Sequence, residues 1–245
     1  MISIKDFGWR LGNQLFQIAA ATALAVKNDD EVAYPEWSYA KYFKGDFTQK
    51  TCQIDSVNES PFHYVDIPYQ PNMAISGYFQ SEKYFGNCKK KIRNMFEMNM
   101  DSSLCEAAGF KPESRQLAVH IRRGDYAKYP NHHPMIGMDY YNAGIAKILE
   151  DGLNHQLIIF SDDIPWCKEA FKDYDCIYPE NNDIESFYLM TQCHDFVIGN
   201  SSFSWWGAYL SKWKDKKVIC PKTWFGPAYA HFNTEDLYCE GWIRL

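Results

Sequence analysis

From residue 117 to residue 221 the chain alternates short apolar runs with helical patterns, and this alternation limits the fold more than any other feature. Strand-like runs fall at 117–121, 156–160, 176–178, 196–198 and 217–220. Helices are predicted over 139–150, 166–171, 184–192 (capped by Asp183) and from about 203 to 210. Apolar strands separated by helices make a parallel sheet covered on both faces. Ligands of such sheets sit beyond the carboxyl ends of the strands. Three polar loops lie at that edge: His120-Ile121-Arg122-Arg123-Gly124-Asp125-Tyr126, Ser161-Asp162-Asp163 and Gly199-Asn200-Ser201-Ser202.

The first of these loops concentrates charge at the end of a buried strand. Two adjacent arginines and a carboxylate are costly to bury without partners. The planar guanidinium fork suits phosphate, so Arg122 and Arg123 read as a phosphate clamp; the competing reading is a solvated turn with surface ion pairs. Asp162 and Asp163 could hold magnesium, accept hydrogen bonds from a nucleobase, or cap the helix that begins near Pro165. With two arginines available to neutralise phosphate, a metal is not required. Asn200, Ser201 and Ser202 supply an amide, hydroxyls and helix-end N–H groups, which would suit a diphosphate or simply cap the next helix.

Composition narrows the class. The formal net charge is −6, so a nucleic-acid surface is not expected, and a basic pair inside an acidic chain points to a small anionic ligand. An apolar fraction of 46% argues against disorder. The eight cysteines show no Cys-x-x-Cys spacing and no zinc pattern with histidine. No basic-then-apolar leader precedes Ile2-Ser3-Ile4, so reduced thiols in a cytoplasmic protein are expected. The long uncharged runs at 11–26 and 196–211 carry Asn, Gln, Thr or Ser and are too short for a membrane span. His132-His133 lacks further metal ligands and reads as loop. Neither a Gly-x-x-x-x-Gly-Lys phosphate loop nor a Gly-x-Ser-x-Gly nucleophile turn is present.

The first half is less regular. Ile2-Ser3-Ile4 reads as a strand, followed by the loop Gly8-Trp9-Arg10-Leu11-Gly12 and a helix over 14–27 with Asn13 as cap. A strand is expected at 31–34 and a single helix at 81–96, capped by Ser81. Residues 36–72 read as loops able to shape an acceptor pocket, and 109–115 as the linker between domains 1–112 and 113–245.

The segment 120–126 is similar to the His-x-Arg-Arg-x-Asp motif shared by several fucosyltransferase families. Leu11-Gly12-Asn13-Gln14-Leu15-Phe16-Gln17, Gly77-Tyr78-Phe79-Gln80-Ser81-Glu82-Lys83-Tyr84-Phe85, residues 160–163 and Gly199-Asn200-Ser201-Ser202-Phe203-Ser204-Trp205-Trp206-Gly207 narrow the likeness. In this order, and across nearly the whole chain, they resemble glycosyltransferase family 11, the α-1,2-fucosyltransferases. Trp9-Arg10 stands where a glycine-rich entry is expected.

The resemblance implies an α/β chain of two facing Rossmann-like domains with parallel sheets, of the glycosyltransferase B type. Domain 1–112 would face the acceptor and domain 113–245 would bind GDP-fucose. Transfer of L-fucose to a sugar hydroxyl, O2 of a galactoside, would proceed with inversion, without a metal or resident cofactor. His120 and either Asp162 or Asp163 would contact guanine. Arg122 and Arg123 would serve the diphosphate, and Ser201 and Ser202 would face the phosphates, with Ser161 and Asn200 in the same donor loops. Gly12, Asn13 and Gln14 would close the other side of the cleft. Asp125 is the nearest carboxylate to act as general base. Beside two guanidiniums, however, it is held charged and made a weaker proton acceptor, so its rival role is to orient the arginines. The partners are then GDP-fucose and a galactose-containing glycan. The protein would be cytoplasmic, approaching a membrane only through a glycolipid acceptor.

Overall fold

A computed structural model describes residues 1–49 and 56–245, so Cys52 lies outside the described residues. The chain forms two compact units, Met1–Met100 with Phe232–Cys239, and Asp101–His231 with Glu240–Leu245. The division falls at Met100/Asp101, not within 109–115 as expected. Side-chain amides explain this: Gln156 Oε1 accepts the Lys111 N–H at 2.8 Å and its Nε2 donates to the Gly109 carbonyl at 2.8 Å. The polar Pro-containing stretch is thereby stitched to the second unit. Residues 232–239 belong to the first unit because Asp236 accepts the Tyr64 N–H at 3.1 Å and pairs with Lys83, while Phe232 stacks on Phe62.

The first unit holds a four-stranded parallel sheet of order β2-β1-β4-β3, formed by β1 (Ile2–Ile4), β2 (Val32–Ala33), β3 (Ser56–Asn58) and β4 (Met73–Ser76). Helix α1 (Leu11–Lys27) is buried at nearly every position from Leu11 to Ala25, because its alanines let it approach the sheet closely. It starts earlier than expected. Arg10 occupies the cap position without a side-chain cap bond, and Asn13 lies in the first turn instead of capping. The helix expected over 81–96 is broken: a 3-10 segment Glu82–Cys88 precedes α2 (Lys89–Met95), with non-helical backbone at buried Phe85. Gly86 and Asn87, weak helix formers, follow the break, and Asn87 Nδ2 is drawn to the Ala23 carbonyl at 3.1 Å. Ser81 does cap, accepting the Lys83 N–H.

The second unit matches the expected alternation. Its strands are β5 (Arg115–Ile121), β6 (His155–Ser161), β7 (Cys176–Ile177), β8 (Asp195–Val197), β9 (Val218–Cys220) and β10 (Ile243–Arg244). All are parallel, in the order β10-β9-β8-β5-β6-β7. The chain therefore starts at the sheet's centre, builds outwards, returns to β5 and builds the other way, which is the Rossmann order with its switch point between β5 and β8. The helices are α3 (Ser103–Ala107), α4 (Met138–Leu149), α5 (Ile164–Ala170), α6 (Asp183–Gln192) and α7 (Ser202–Leu210). Asn182, not Asp183, caps α6, through a reciprocal box with Glu185. Leu117, Val119 and Ile121 of β5 pack with Tyr141, Ile145 and Ile148 of α4 and with Cys167 and Phe171. Gly144 makes that approach possible, since a Cβ there would stand 2.8 Å from Val197 Cγ1. No helix among the described residues is long and apolar enough to cross a membrane.

The amino edge of this sheet is tied by a buried carboxylate. Asp195 is fully buried and accepts from Arg115 Nε at 2.9 Å, His155 Nε2 at 3.2 Å and the Lys217 N–H at 2.8 Å. Arg115 also pairs with Asp215, and both carboxylates hold its guanidinium more firmly charged than usual. Removing Arg115 would leave Asp195 buried without its cation. Arg115→Ala should cost about 3–5 kcal/mol of unfolding free energy, read from urea titrations, a loss that Arg115→Lys recovers only in part because lysine cannot reproduce the fork.

Candidate functional site

Strands β5 and β6 pair in full register from Arg115↔His155 to Ile121↔Ser161, so the loops that leave them start level. Asp162 links the two. Its Oδ1 accepts the Arg123 N–H at 2.9 Å, and its Oδ2 accepts the Gly124 N–H at 3.1 Å and pairs with Arg122 Nη1 at 2.9 Å. Gly124 is needed there, because a Cβ would come within 2.7 Å of Asp162 Oδ2.

The arginines are held from several sides. Arg122 Nη2 meets Asp125 at 2.6 Å, and its guanidinium lies 5.7 Å from the Tyr126 ring centroid. Tyr126 in turn stacks on His133 at 4.5 Å, giving that loop histidine a packing role. Arg123 Nε donates to Asp163 at 3.0 Å while its guanidinium lies 3.9 Å over the Trp166 ring. These contacts take Arg122 Nη1 and Nη2 once each and Arg123 Nε, leaving N–H donors on both guanidiniums. Both arginine side chains are mostly covered and held in ion pairs. Asp125, more exposed, pairs with Arg122.

Other expected donor residues already have partners within the protein. Asp163 caps α5, accepting the Trp166 N–H at 3.2 Å, and Ser161 Oγ accepts the Asp163 N–H at 3.0 Å. The buried Asn200 amide donates to the Pro134 and Trp224 carbonyls at 3.1 and 3.0 Å. Ser201 caps α7, accepting the Phe203 N–H, and Ser202 opens that helix partly exposed. Tyr126 joins this third loop to the first by donating its hydroxyl to the Asn200 carbonyl at 2.8 Å. The three polar loops therefore form one hydrogen-bonded cluster at the carboxyl edge, beside the switch point. Among the described residues no group of three His, Cys, Asp or Glu side chains is arranged to hold a metal ion.

His120, on the face of β5 opposite Ile121, is 6% exposed, and its Nδ1 has no hydrogen-bond partner among the described residues. Burial and then the charge of Arg122 push its pKa down to about 3. It is a neutral imidazole with an unspent polar atom, 5.8 Å from the Phe203 ring and close under Gly199.

Gly12, Asn13 and Gln14 lie in the first unit, in the first turn of α1. Gly12 is buried; Asn13 Oδ1 accepts from Gln80 Nε2 at 2.8 Å; Gln14 donates to the Trp9 carbonyl and accepts from Trp37 Nε1 at 2.9 Å. Sequence reasoning missed the supports: Tyr126 and Trp166 around the arginines, and Gln17 and Glu59 in the first unit. For Trp166 the signal was its place three residues after a capping Asp163; Glu59 had none, its carboxylate being brought in by folding.

The sequence matches the profile of Glycosyl transferase family 11 over residues 21–245. The chain belongs to this family. It is 33% identical over 187 residues to the O-antigen biosynthesis glycosyltransferase WbnK of Escherichia coli, covering 70% of this chain and 60% of that protein. An alpha-1,2-colitosyltransferase of Escherichia coli is 28% identical over 96% of both chains. A galactoside alpha-(1,2)-fucosyltransferase 1 of Mus musculus is 24% identical over 83% of this chain and 62% of its own length. In fold, the fucosyltransferase NodZ from Bradyrhizobium superposes with a TM-score of 0.56 at 10% identity, over 85% of this chain and 92% of that one. POFUT1 in complex with GDP gives 0.55 at 15% identity, over 89% and 97%. The fold is thus of the glycosyltransferase B class that the sequence implied.

The His120 environment sets a pH dependence. An unfolded histidine takes up a proton near pH 6.5, whereas the folded one resists to about 3. The unfolded state therefore binds more protons below pH 6.5, and stability present above that pH is lost as it falls. From pH 7 to pH 5 the loss attributable to this group is about 2 kcal/mol. Urea unfolding at both pH values should show that loss in the parent and its absence in His120→Asn.

Proposed function

We propose that this family 11 chain is an inverting fucosyltransferase that moves L-fucose from GDP-β-L-fucose to O2 of a galactoside, without a metal. The observation that carries the reading is the cluster of Arg122, Arg123 and Asp162 at the carboxyl edge of the second sheet, with guanidinium N–H donors still unshared. The names of relatives supply the chemistry: galactoside alpha-(1,2)-fucosyltransferase for the mouse protein, and a NodZ structure soaked with GDP-fucose, similar in fold at a TM-score of 0.52.

In this reaction the bond from fucose C1 to the β-phosphate oxygen breaks as the acceptor oxygen bonds C1 from the opposite face. The acceptor's proton passes to a base, for which Asp125 is the candidate carboxylate of the arginine loop, and the electron pair of the broken bond departs with GDP. Negative charge grows on that diphosphate, where preorganised donors are most effective. Arg122, fixed by Asp125 and Asp162, and Arg123, fixed by Asp163 and Trp166, face this charge without the reorganisation a free side chain would need. Asp162 and Asp163 both pair with arginine, which favours the metal-free reading. His120 would meet guanine with its unpaired ring nitrogen, and Ser201 and Ser202 would meet phosphate. The reading keeps the cytoplasm as the place of action.

A second reading has its own support. The colitosyltransferase matches this chain end to end, and colitose is fucose without its 3-hydroxyl. The donor would then carry a 3-deoxy sugar on the same nucleotide. One assay tests both: GDP-fucose and its 3-deoxy counterpart are offered with methyl β-galactoside, with and without EDTA, and the product linkage is read by NMR. The first reading expects an α-1,2-fucosyl product, made at equal rate in EDTA. A 3-deoxy product alone selects the second, and loss of turnover on chelation, restored by magnesium, removes the metal-free mechanism.

The arginine cluster is open to direct test. Arg122→Ala and Arg123→Ala should each lose about 2–5 kcal/mol of transition-state stabilisation, roughly 30- to several-thousand-fold in kcat/KM. Asp162→Asn should weaken GDP binding measured by calorimetry, since it loosens both arginines together. Near-normal turnover in all three variants would remove the cluster from the mechanism.

A further inference from the structure

At the carboxyl edge of the first unit's sheet, the loops after β1 and β4 are held side by side by two polar side chains, Gln17, which is buried, and Glu59, which is half-buried. Gln17 Oε1 accepts the Gly8 N–H at 3.3 Å, and its Nε2 donates to the Gly77 carbonyl at 2.9 Å. Glu59, just past β3, accepts the N–H groups of Tyr78 at 2.6 Å and Phe79 at 3.0 Å and lies 3.4 Å from the Tyr84 hydroxyl. Gln14 Nε2 then fixes the Trp9 carbonyl at 3.1 Å. The asparagine and glutamine at 13 and 80 bridge the same two loops at 2.8 Å.

What this scaffold presents is unusual. Trp9 sits at φ 59°, in the left-handed region that favours glycine, and its ring stacks on Tyr78 at 4.2 Å with an interplanar angle of 24°. With 61% of its surface exposed it is the most exposed large hydrophobic residue described. The conformation is strained for a side chain, and the indole's outer face is not covered within the unit. A strained, rigidly backed, solvent-facing aromatic at a sheet's carboxyl edge has the form of a ligand platform.

We propose that Trp9, backed by Tyr78, is the platform on which the acceptor's galactose ring lies. The axial 4-hydroxyl of galactose leaves the C–H groups of C3, C4 and C5 together on the opposite face, an apolar patch of indole size. Glucose, with an equatorial 4-hydroxyl, turns its C4–H to the other face and offers a smaller patch, so the platform favours the galacto configuration. The amides of Asn13 and Gln80 stand on the same loops to meet the ring's hydroxyls, and the Asn13 Nδ2 group has no partner among the described residues. This assignment rests on the galactoside acceptor proposed above and adds the residue that recognises it.

The test separates strain from recognition. Trp9→Gly removes a left-handed side chain, so the thermal midpoint should hold or rise. The same change should raise the KM for methyl β-galactoside roughly tenfold or more and leave the donor KM unchanged. Trp9→Phe should recover most of the acceptor affinity. Saturation-transfer NMR of methyl β-galactoside with GDP present gives a readout that needs no turnover. H3, H4 and H5 should be enhanced most in the parent, weakly in Trp9→Gly, and methyl β-glucoside should give little signal. A Trp9-dependent signal without transfer would keep the platform and sink the proposed reaction. Transfer to galactoside with acceptor KM within twofold of the parent in Trp9→Gly would sink the platform and keep the reaction. A change of oligomeric state in Trp9→Gly with acceptor binding intact would assign the ring to an interface and also overturn the proposal.

Discussion

The second unit's chemistry depends on one carboxylate that touches two backbone N–H groups and a guanidinium. Asp162 reaches from the end of β6 to the loop after β5 and satisfies the N–H of Arg123 and of Gly124 while pairing with Arg122. A loop carrying two adjacent cations would otherwise splay to keep both solvated. Charge-assisted bonds to backbone groups are among the stronger ones available to a side chain, and they fix the direction of the chain as well as its charge. Two guanidiniums and three carboxylates (Asp125, Asp162, Asp163) then stand in one cluster, 2 − 3 = −1. Any affinity of this edge for an anion must therefore come from aimed donors and not from net positive charge.

The same solution recurs in the first unit without any charge pairing. Glu59 grips the Tyr78 and Phe79 N–H groups as Asp162 grips those of Arg123 and Gly124, and burial pushes the Glu59 carboxyl up while these bonds pull it down. Phe79, like Trp9, has positive φ, and a loop in that conformation persists only when its surroundings over-determine it. Gln17 supplies the other fixed point, an amide whose two ends bind backbone of two different loops. In both units a polar side chain at or just past a strand's end sets loops that apolar packing alone would leave undetermined.

How much of this could be read from the residues follows from where the determining contacts lie. Strands β5, β6 and β8 are legible because runs such as Leu117-Ala118-Val119 are apolar on both faces, and turn signals bound them. The arginine loop is legible as a charge anomaly at a strand's end. The capping errors have a common cause: Asn13 and Asp183 are good cap residues, but Arg10 and Asn182 hold the geometry, one through the Arg10 carbonyl accepting the Gln14 N–H and one through the Glu185 box. The break at Phe85 is tertiary, a large ring turned into the core at the expense of helical backbone. Contacts between residues far apart in sequence, such as Glu59 with Phe79 or Asn200 with Trp224, leave no local pattern. The charged loop was therefore visible, and the long-range contacts that hold it were not.

His120 shows why the supports matter as much as the charged groups. It lies one residue before the end of β5, and there burial, followed by the charge of Arg122, keeps the histidine neutral against the opposite pull of Asp162. A charged imidazole there would repel the arginines and open the loop. A neutral one leaves a polar nitrogen unsatisfied inside the protein, a cost that an apolar residue of similar size would avoid. Gly199 keeps the space above it, since a Cβ would stand 3.0 Å from the His120 carbonyl and 3.4 Å from Nδ1. Loops after β5 and β8 thus preserve room around a buried, uncharged donor or acceptor at the switch point of the sheet. An unpartnered buried polar atom can act as a specificity element, because a ligand that leaves it unpaired is bound less well. It returns its cost only when a ligand atom of the complementary kind arrives, and in the proposed reaction guanine would supply that atom.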